Sequence, residues 1–450
     1  MGVPMTYPGH VKAITVLSLP LIGGHLAQQA IGLTDTVMLG WYGVRELAAL
    51  TLSHSYFFVV FMLGSGFAMA VMPMVAAAAG TEDQTSIRRA TRMGLWLSLG
   101  FGVLAMPAMW WSGSILRLLG QSPETSDLAA QYLRIAGWGM FPALLVMVLQ
   151  SYLAALERTQ IVLWIILFAA LVNAVANYAL IFGHWGAPEL GIIGAAIASI
   201  VTQTASLVAV AIYAVLVLPE HQMFARFWRP DWDMLGQVFR LGLPIGLTLL
   251  SETSLFAATA MMMGWIGTVP LAAHGIVIVV TSATFMVHLG LGNVATIRAG
   301  NAFGRQDRAH MARGAVVVIL MSLLAAIVAI AAFLLIPEVM VAWFLAPDDP
   351  DRAQIIGIGV LLFAAAALFQ LVDGAQVIAL SLLRGAQDTR IPMVIAVLSY
   401  WAVGIPVSYV LGFVVGLGGV GIWLGLAVGL AFAGVLLMHR FWRITIRRIG

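Results

Sequence analysis

Three carboxylates stand where carboxylates are costly. Of the 19 Asp and Glu in the 450-residue chain, Asp35, Glu252 and Asp373 fall well inside long apolar runs. An ionisable group at membrane depth is by default a functional one. No Lys or Arg sits deep in a run to pair with them; Arg134 and Arg298 stand only near borders. Acids without fixed partners suit partners that come and go: protons, Na⁺ or a cationic substrate. Asn173 and Asn177 are four apart and share one helix face. Ser199 ends the small-residue stretch that begins at Gly191, suited to close helix contact. Asp35 with two Asn carbonyls and the Ser199 hydroxyl offers hard oxygen ligands to a Na⁺-sized ion, while the acid alone binds a proton. Glu252 and Asp373 are further candidates for Na⁺ or H⁺.

Other residue types bear on what is carried and on what is excluded. Met261 and Met262, close to Trp265, are placed to line a pliable apolar pocket, because thioethers and aromatic faces repack around varied cations. Gln28 joins this tentative substrate cavity. The chain has no Walker sequence, no HExxH and no GxSxG, so neither nucleotide hydrolysis nor familiar hydrolase chemistry is supported. It reads as no enzyme and needs no cofactor beyond a coupling ion. There is no Cys, and the nine His show no metal-ligand spacing.

The elements that must hold these residues are membrane helices. Hydrophobic residues make up 62% of the chain and charged ones 9%, against about 25% charged in soluble chains. Lipid is therefore the solvent for most of the surface. Apolar runs occupy about 12–39, 47–78, 90–113, 127–153, 160–184, 190–217, 236–266, 270–299, 312–337, 352–381, 390–413 and 419–441. Each is long enough to cross a bilayer as a helix. The segment Met1 to His10 is short and polar, so the first run reads as a retained helix rather than a cleaved leader. With the N-terminus in the cytoplasm, 18 of the 22 Lys and Arg fall in inside segments. That asymmetry orients the chain and places both termini inside. The loop placement of Arg marks topology, not a nucleic-acid surface.

The sequence also repeats. A shift of 224 superposes Leu17-Ser18-Leu19-Pro20 on Leu241-Gly242-Leu243-Pro244, and Gly40-Trp41-Tyr42-Gly43 on Gly264-Trp265-Ile266-Gly267. Asp83 falls on Asp307, Arg89 on Arg313, and Pro123 on Pro347. Gln28 falls on Glu252 and Asp35 on Thr259, so each half carries one acid on the equivalent face at a different depth. The reading is an N-lobe over 1–217, a cytoplasmic linker over 218–235 and a C-lobe over 236–450. Six helices per half make a parallel repeat with a shared cavity, the plan of a transporter.

Several motifs then look familiar. Thr34-Asp35-Thr36-Val37-Met38-Leu39-Gly40, Met263-Gly264-Trp265-Ile266-Gly267 and Leu383-Arg384-Gly385-Ala386-Gln387-Asp388-Thr389-Arg390 resemble the multidrug and toxic compound extrusion (MATE) family. Glu252 together with Asp373 looks like its bacterial NorM branch. The resemblance implies an all-α integral membrane protein, with twelve transmembrane helices in two pseudo-symmetric six-helix lobes arranged as a V. It implies a secondary antiporter of the bacterial inner membrane, exporting drugs and organic cations against Na⁺ or H⁺ influx. Asp35, Asn173, Asn177 and Ser199 match the family's N-lobe cation site, with Ser199 where Thr is common. Glu252 and Asp373 match its C-lobe acids. The expected partners are organic cations and the lipid bilayer, with no nucleic acid, and the expected state is a monomer. The alternative is a lipid-linked oligosaccharide flippase of the same superfamily. Such a flippase requires buried Arg or Lys for its pyrophosphate, whereas this chain buries acids.

Overall fold

The computed structural model describes residues 5–348 and 350–449. Twelve of its helices are long and apolar enough to cross a membrane, at 24 to 37 residues each. At about 1.5 Å per residue the shortest reaches ~36 Å, more than the ~30 Å hydrocarbon core. They are α1 (Tyr7–Tyr42), α2 (Arg45–Gly80), α3 (Gln84–Trp110), α4 (Pro123–Ala155), α5 (Thr159–Phe182) and α6 (Ile192–Val217). The second six are α7 (Trp232–Ile266), α8 (Thr268–Gly304), α9 (Arg308–Leu335), α10 (Arg352–Gly385), α11 (Arg390–Val414) and α12 (Gly418–Arg448). No strand occurs among the described residues. The protein is an all-helical, multi-pass membrane protein. Pro20, Pro73, Pro107 and Pro244 lie inside continuous helices. Wide π-turns interrupt α11 at Ser399–Gly404 and Val410–Val414, and α12 at Phe441–Thr445.

The internal repeat is visible in local geometry. Asp83 caps α3 by accepting from the Ser86 amide at 3.0 Å, and Asp307 caps α9 by accepting from the His310 amide at 2.9 Å. The residues before them, Glu82 and Gln306, both take left-handed φ, 57° and 55°. A cap side chain that satisfies an orphan N–H at each helix start explains why these acids persist at the same place in both halves.

Two compact units emerge: Gly23–Gly246, and Met1–Ile22 with Leu247–Gly450. The lobe limits read from sequence follow the repeat, whereas compactness divides the chain inside α1 and α7. The two division points, after Ile22 and after Gly246, are themselves equivalent under the 224-residue shift. Close packing accounts for it. In the first unit, a Cβ on Gly66 of α2 would stand 2.3 Å from the Gly242 carbonyl oxygen and from the Gly246 nitrogen of α7. In the second, a Cβ on the equivalent Gly290 of α8 would stand 2.4 Å from the Ile22 side chain of α1. Only glycine permits either approach.

Within Gly23–Gly246, α5 packs along α6, and α2 lies against α3 and α4. Leu39, Leu50, Met109, Leu133, Met140 and Ile181 build its core. The segment 218–235 is tied to α3: Arg92 donates to the Ala225 carbonyl at 2.8 Å, Trp96 to the Phe227 carbonyl at 2.9 Å, and Arg89 pairs with Asp231. Within the other unit, α10 is central and touches α8, α9 and α12.

Candidate functional site

The first site grows from one helix face. Asn173 and Asn177 are one turn apart on α5 and almost wholly buried. Asp35, near the end of α1, is buried beside them. Its Oδ1 accepts from Asn173 Nδ2 at 2.9 Å and from Asn177 Nδ2 at 2.5 Å. Asn177 Nδ2 also reaches Asn173 Oδ1 at 3.2 Å. Two amide N–H groups thus converge on one carboxylate oxygen. Asn177 Oδ1 is buried and accepts no hydrogen bond in the structure. A buried acceptor left open costs about 1–3 kcal/mol unless something meets it. The site thus gathers a carboxylate and amide oxygens, the ligand chemistry of a hard monovalent cation.

Ser199 stands one step away. Its hydroxyl donates to the Ala195 carbonyl of its own helix at 3.0 Å. It lies near the buried Tyr132 hydroxyl, which in turn is 3.2 Å from His54 Nε2. His54 and Tyr132 both lie within Coulomb reach of Asp35. The structure therefore joins Asp35, Asn173 and Asn177 directly and connects Ser199 through Tyr132. Sequence reasoning singles out neither Tyr132 nor His54 as a site residue, because a lone Tyr or His in an apolar run carries no spacing signal.

The second site lies on α10. Gln370, Asp373 and Gln376 recur every three residues, each no more than 1% exposed. Gln370 accepts from Thr284 at 2.9 Å, and Gln376 donates to the Tyr400 hydroxyl at 2.6 Å. Glu252 of α7 is half-buried and within Coulomb reach of Asp373. Glu252 Oε1 and Asp373 Oδ1 are both buried and unpartnered. One expectation needs correction. Glu252 does have a basic neighbour, since Arg384 lies within its Coulomb reach. Arg384 looked like a loop residue in the sequence, but α10 continues to Gly385 and carries it into the bundle. The polar triplet on one face of an apolar helix was a readable signal for Gln370 and Gln376.

The tentative cavity residues scatter. Met262 is buried, whereas Met261 and Trp265 are each 62% exposed, and Gln28 is exposed on α1. Thr259, the repeat partner of Asp35, is buried and bonds its own helix at the Leu255 carbonyl. Among the described residues no cluster of three His, Asp or Glu could hold a metal ion in the manner of a fixed metal centre.

Comparisons with known proteins agree with this architecture. The MatE family model matches residues 20–179 and 244–410, one block in each half. The probable multidrug resistance protein NorM of Rhizobium meliloti (strain 1021) is 44% identical, over 99% of this chain and 96% of its own length. The protein of the same description from Agrobacterium fabrum is 42% identical, over 96% and 93%. A solved outward-facing multidrug resistance MATE transporter of the MOP superfamily shares the fold with a TM-score of 0.87 at 20% identity, over 98% of this chain and 97% of its own. With both repeat blocks matched and identity above 40% across nearly its whole length, the chain belongs to the MATE family, in its NorM-like bacterial branch.

Proposed function

We propose that the protein is a secondary antiporter that exports cationic and amphipathic organic compounds, drugs among them, in exchange for Na⁺ or H⁺. Its helices alternate a binding site between the two sides of the bacterial inner membrane. The observation that carries the reading is Asp35, a buried carboxylate held by two amides and bonded to no Lys or Arg among the described residues. A site of this kind gains most when a cation enters and loses most when it leaves, which is what coupling requires. Glu252 and Asp373 supply a second acidic centre in the other unit, where charge is again unbalanced by hydrogen bonds. A flippase for an anionic pyrophosphate needs cations at such centres, whereas Asp35 is bonded to no Lys or Arg among the described residues and the other centre sets two carboxylates against the single Arg384. Membership of a family whose relatives are described as multidrug resistance proteins supports the substrate class. The excess of Arg in alternate loops supports cytoplasmic termini, and nothing in the reading requires more than one chain.

Everted vesicles with a Na⁺ or a pH gradient imposed alone test the proposal. Ethidium movement under one gradient is expected, with loss in Asp35→Asn, Asp373→Asn or Glu252→Gln at equal membrane expression. Movement indifferent to both gradients, or an anionic dye carried as well as ethidium, overturns the reading.

A further inference from the structure

A crevice of about 300 Å³ opens on the unit containing α9, α10 and α12. Small residues make it: Ala326 on α9, Gly374 and Ala375 on α10, and Gly434 on α12, with Met438 at one end. Leu323, Leu371 and Val435 on its rim are exposed, so the crevice faces outward toward lipid. Its one polar side chain is Ser322, whose hydroxyl is already paired with His288 Nδ1 at 2.9 Å. Water confined there would lack the two to four polar partners that about every buried water needs. An alkyl chain matches the walls.

The ends of the same helices fix what that chain is attached to. The terminal turn Ile446–Arg448 packs against α9. Arg447 and Arg448 on that turn are exposed, and so is Arg308 at the start of α9. Arg443, on the intervening turn of α12, is exposed as well. None of these four has an ion pair or hydrogen bond among the described residues. The two neighbouring charges that could compete are committed: Arg440 pairs with Asp388 at 2.7 and 3.1 Å, and Asp307 caps α9. Ser322 lies 14 residues from Arg308 along α9, or ~21 Å at the helical rise. That is about half the ~40–45 Å thickness of a bilayer with its headgroups. A lipid with its phosphate at the arginines therefore lays its chain along the crevice as far as the bilayer midplane.

We infer that the α9–α10–α12 crevice is a binding site for one anionic phospholipid, its acyl chain in the crevice and its headgroup on Arg308, Arg443, Arg447 and Arg448. Basic residues where helices meet the membrane surface recognise such headgroups. The site backs onto functional ground. Gly374 follows Asp373 directly, and a Cβ on it would press the His288 ring at 2.8 Å.

Native mass spectrometry of the full-length protein, extracted from membranes of equal phosphatidylglycerol and phosphatidylethanolamine, tests this without reference to transport. Wild type is expected to retain one phosphatidylglycerol in preference. The triple variant Arg443→Gln, Arg447→Gln, Arg448→Gln is expected to lose that preference about a hundredfold, as the contribution of three basic residues near a surface implies. Ala431→Phe, which fills the crevice wall, is expected to lower retention of both lipids. Ala431→Val serves as the milder variant, and thermal unfolding confirms that each is folded. Retention without headgroup preference, equal retention in the filled variants, or no retained lipid overturns the inference. Displacement of nothing but an apolar dye by the filling substitution does so too, since it makes the crevice a drug site.

Discussion

Asp35 shows how a single carboxylate can be both held and left available. Two amide donors share its Oδ1, and the price is Asn177 Oδ1, buried with no donor of its own. An entering cation that takes this oxygen as well as the carboxylate relieves the defect. Asn177→Ala is therefore expected to cut gradient-driven efflux about tenfold or more, because a hydrogen bond to a charged group contributes ~1.5–3 kcal/mol. Ser199→Ala, which touches Asp35 only by way of Tyr132, is expected to cost less than about threefold on the same scale. Dye efflux at matched expression separates the two, and equal losses would place the Ser199 hydroxyl on the ion itself. That Asn173 and Asn177 share a face is legible in their four-residue spacing on an apolar helix, whereas their meeting with Asp35 is what the family resemblance implies. Tyr132 and His54 are not legible, because which of several aromatic or imidazole rings turns inward is decided by packing between helices far apart in the chain. Arg384 misleads for a related reason: an Arg next to Gly-Ala-Gln-Asp reads as loop, and only the helix end shows otherwise.

At the scale of helices, contact is set by glycine and by capping rather than by apolar bulk. A Cβ on Gly66 meets main-chain atoms at 2.3 Å, which cannot swing aside. Gly66→Ala is expected to destabilise by about 1–3 kcal/mol, the usual range for overpacking. Gly290→Ala is expected to cost less, because the first atom it meets is the movable Ile22 side chain. Thermal unfolding of the purified variants ranks them, and the reverse order would refute the account. The segment between the halves gives a second test. Asp231 lies outside the membrane spans, and its carboxyl is held below the ordinary range, first by the hydrogen bond from Arg89. A depressed carboxylate stabilises the fold above its unfolded pKa, about 4, and that contribution fades as pH falls through the folded value. Arg89 is 38% exposed and Asp231 26%, so screening limits the pair to roughly 0.5–1 kcal/mol. Asp231→Asn is expected to lower the unfolding temperature slightly at pH 7, with the difference from wild type shrinking progressively as pH falls below about 4. A difference that persists in acid would mean that Asp231 acts through the cap it offers to the Met234 amide at 3.1 Å.

For the molecule as a whole, the repeat is legible in the sequence, as are the number of helices and the matching caps at Asp83 and Asp307. The division into compact units is not. Sequence places the break in the polar segment 218–235, where composition changes. Packing places it inside α7, because Gly242 and Gly246 of that helix belong with Gly66 and not with the acids that follow. Phe239 joins them by stacking on Phe67, with ring centroids 5.6 Å apart. A half-molecule that stops before this segment exposes the glycine face of α2 and removes the Phe239 ring stacked on Phe67. Its linker bonds to α3 from Arg92 and Trp96 remain, so the polar contacts alone do not rescue it. A chain cut after Asp231 is therefore expected to aggregate on extraction from membranes, whereas one cut after Gly246 is expected to elute as a single folded species. The added 15 residues bring little hydrogen bonding outside their own helix, so any difference between the fragments reports the apolar and glycine contacts. Size-exclusion profiles and protease resistance of the two fragments make the comparison. If both fragments behave alike, the first turns of α7 are dispensable to the first unit, and the close approach at Gly66 is a consequence of assembly rather than a cause of it.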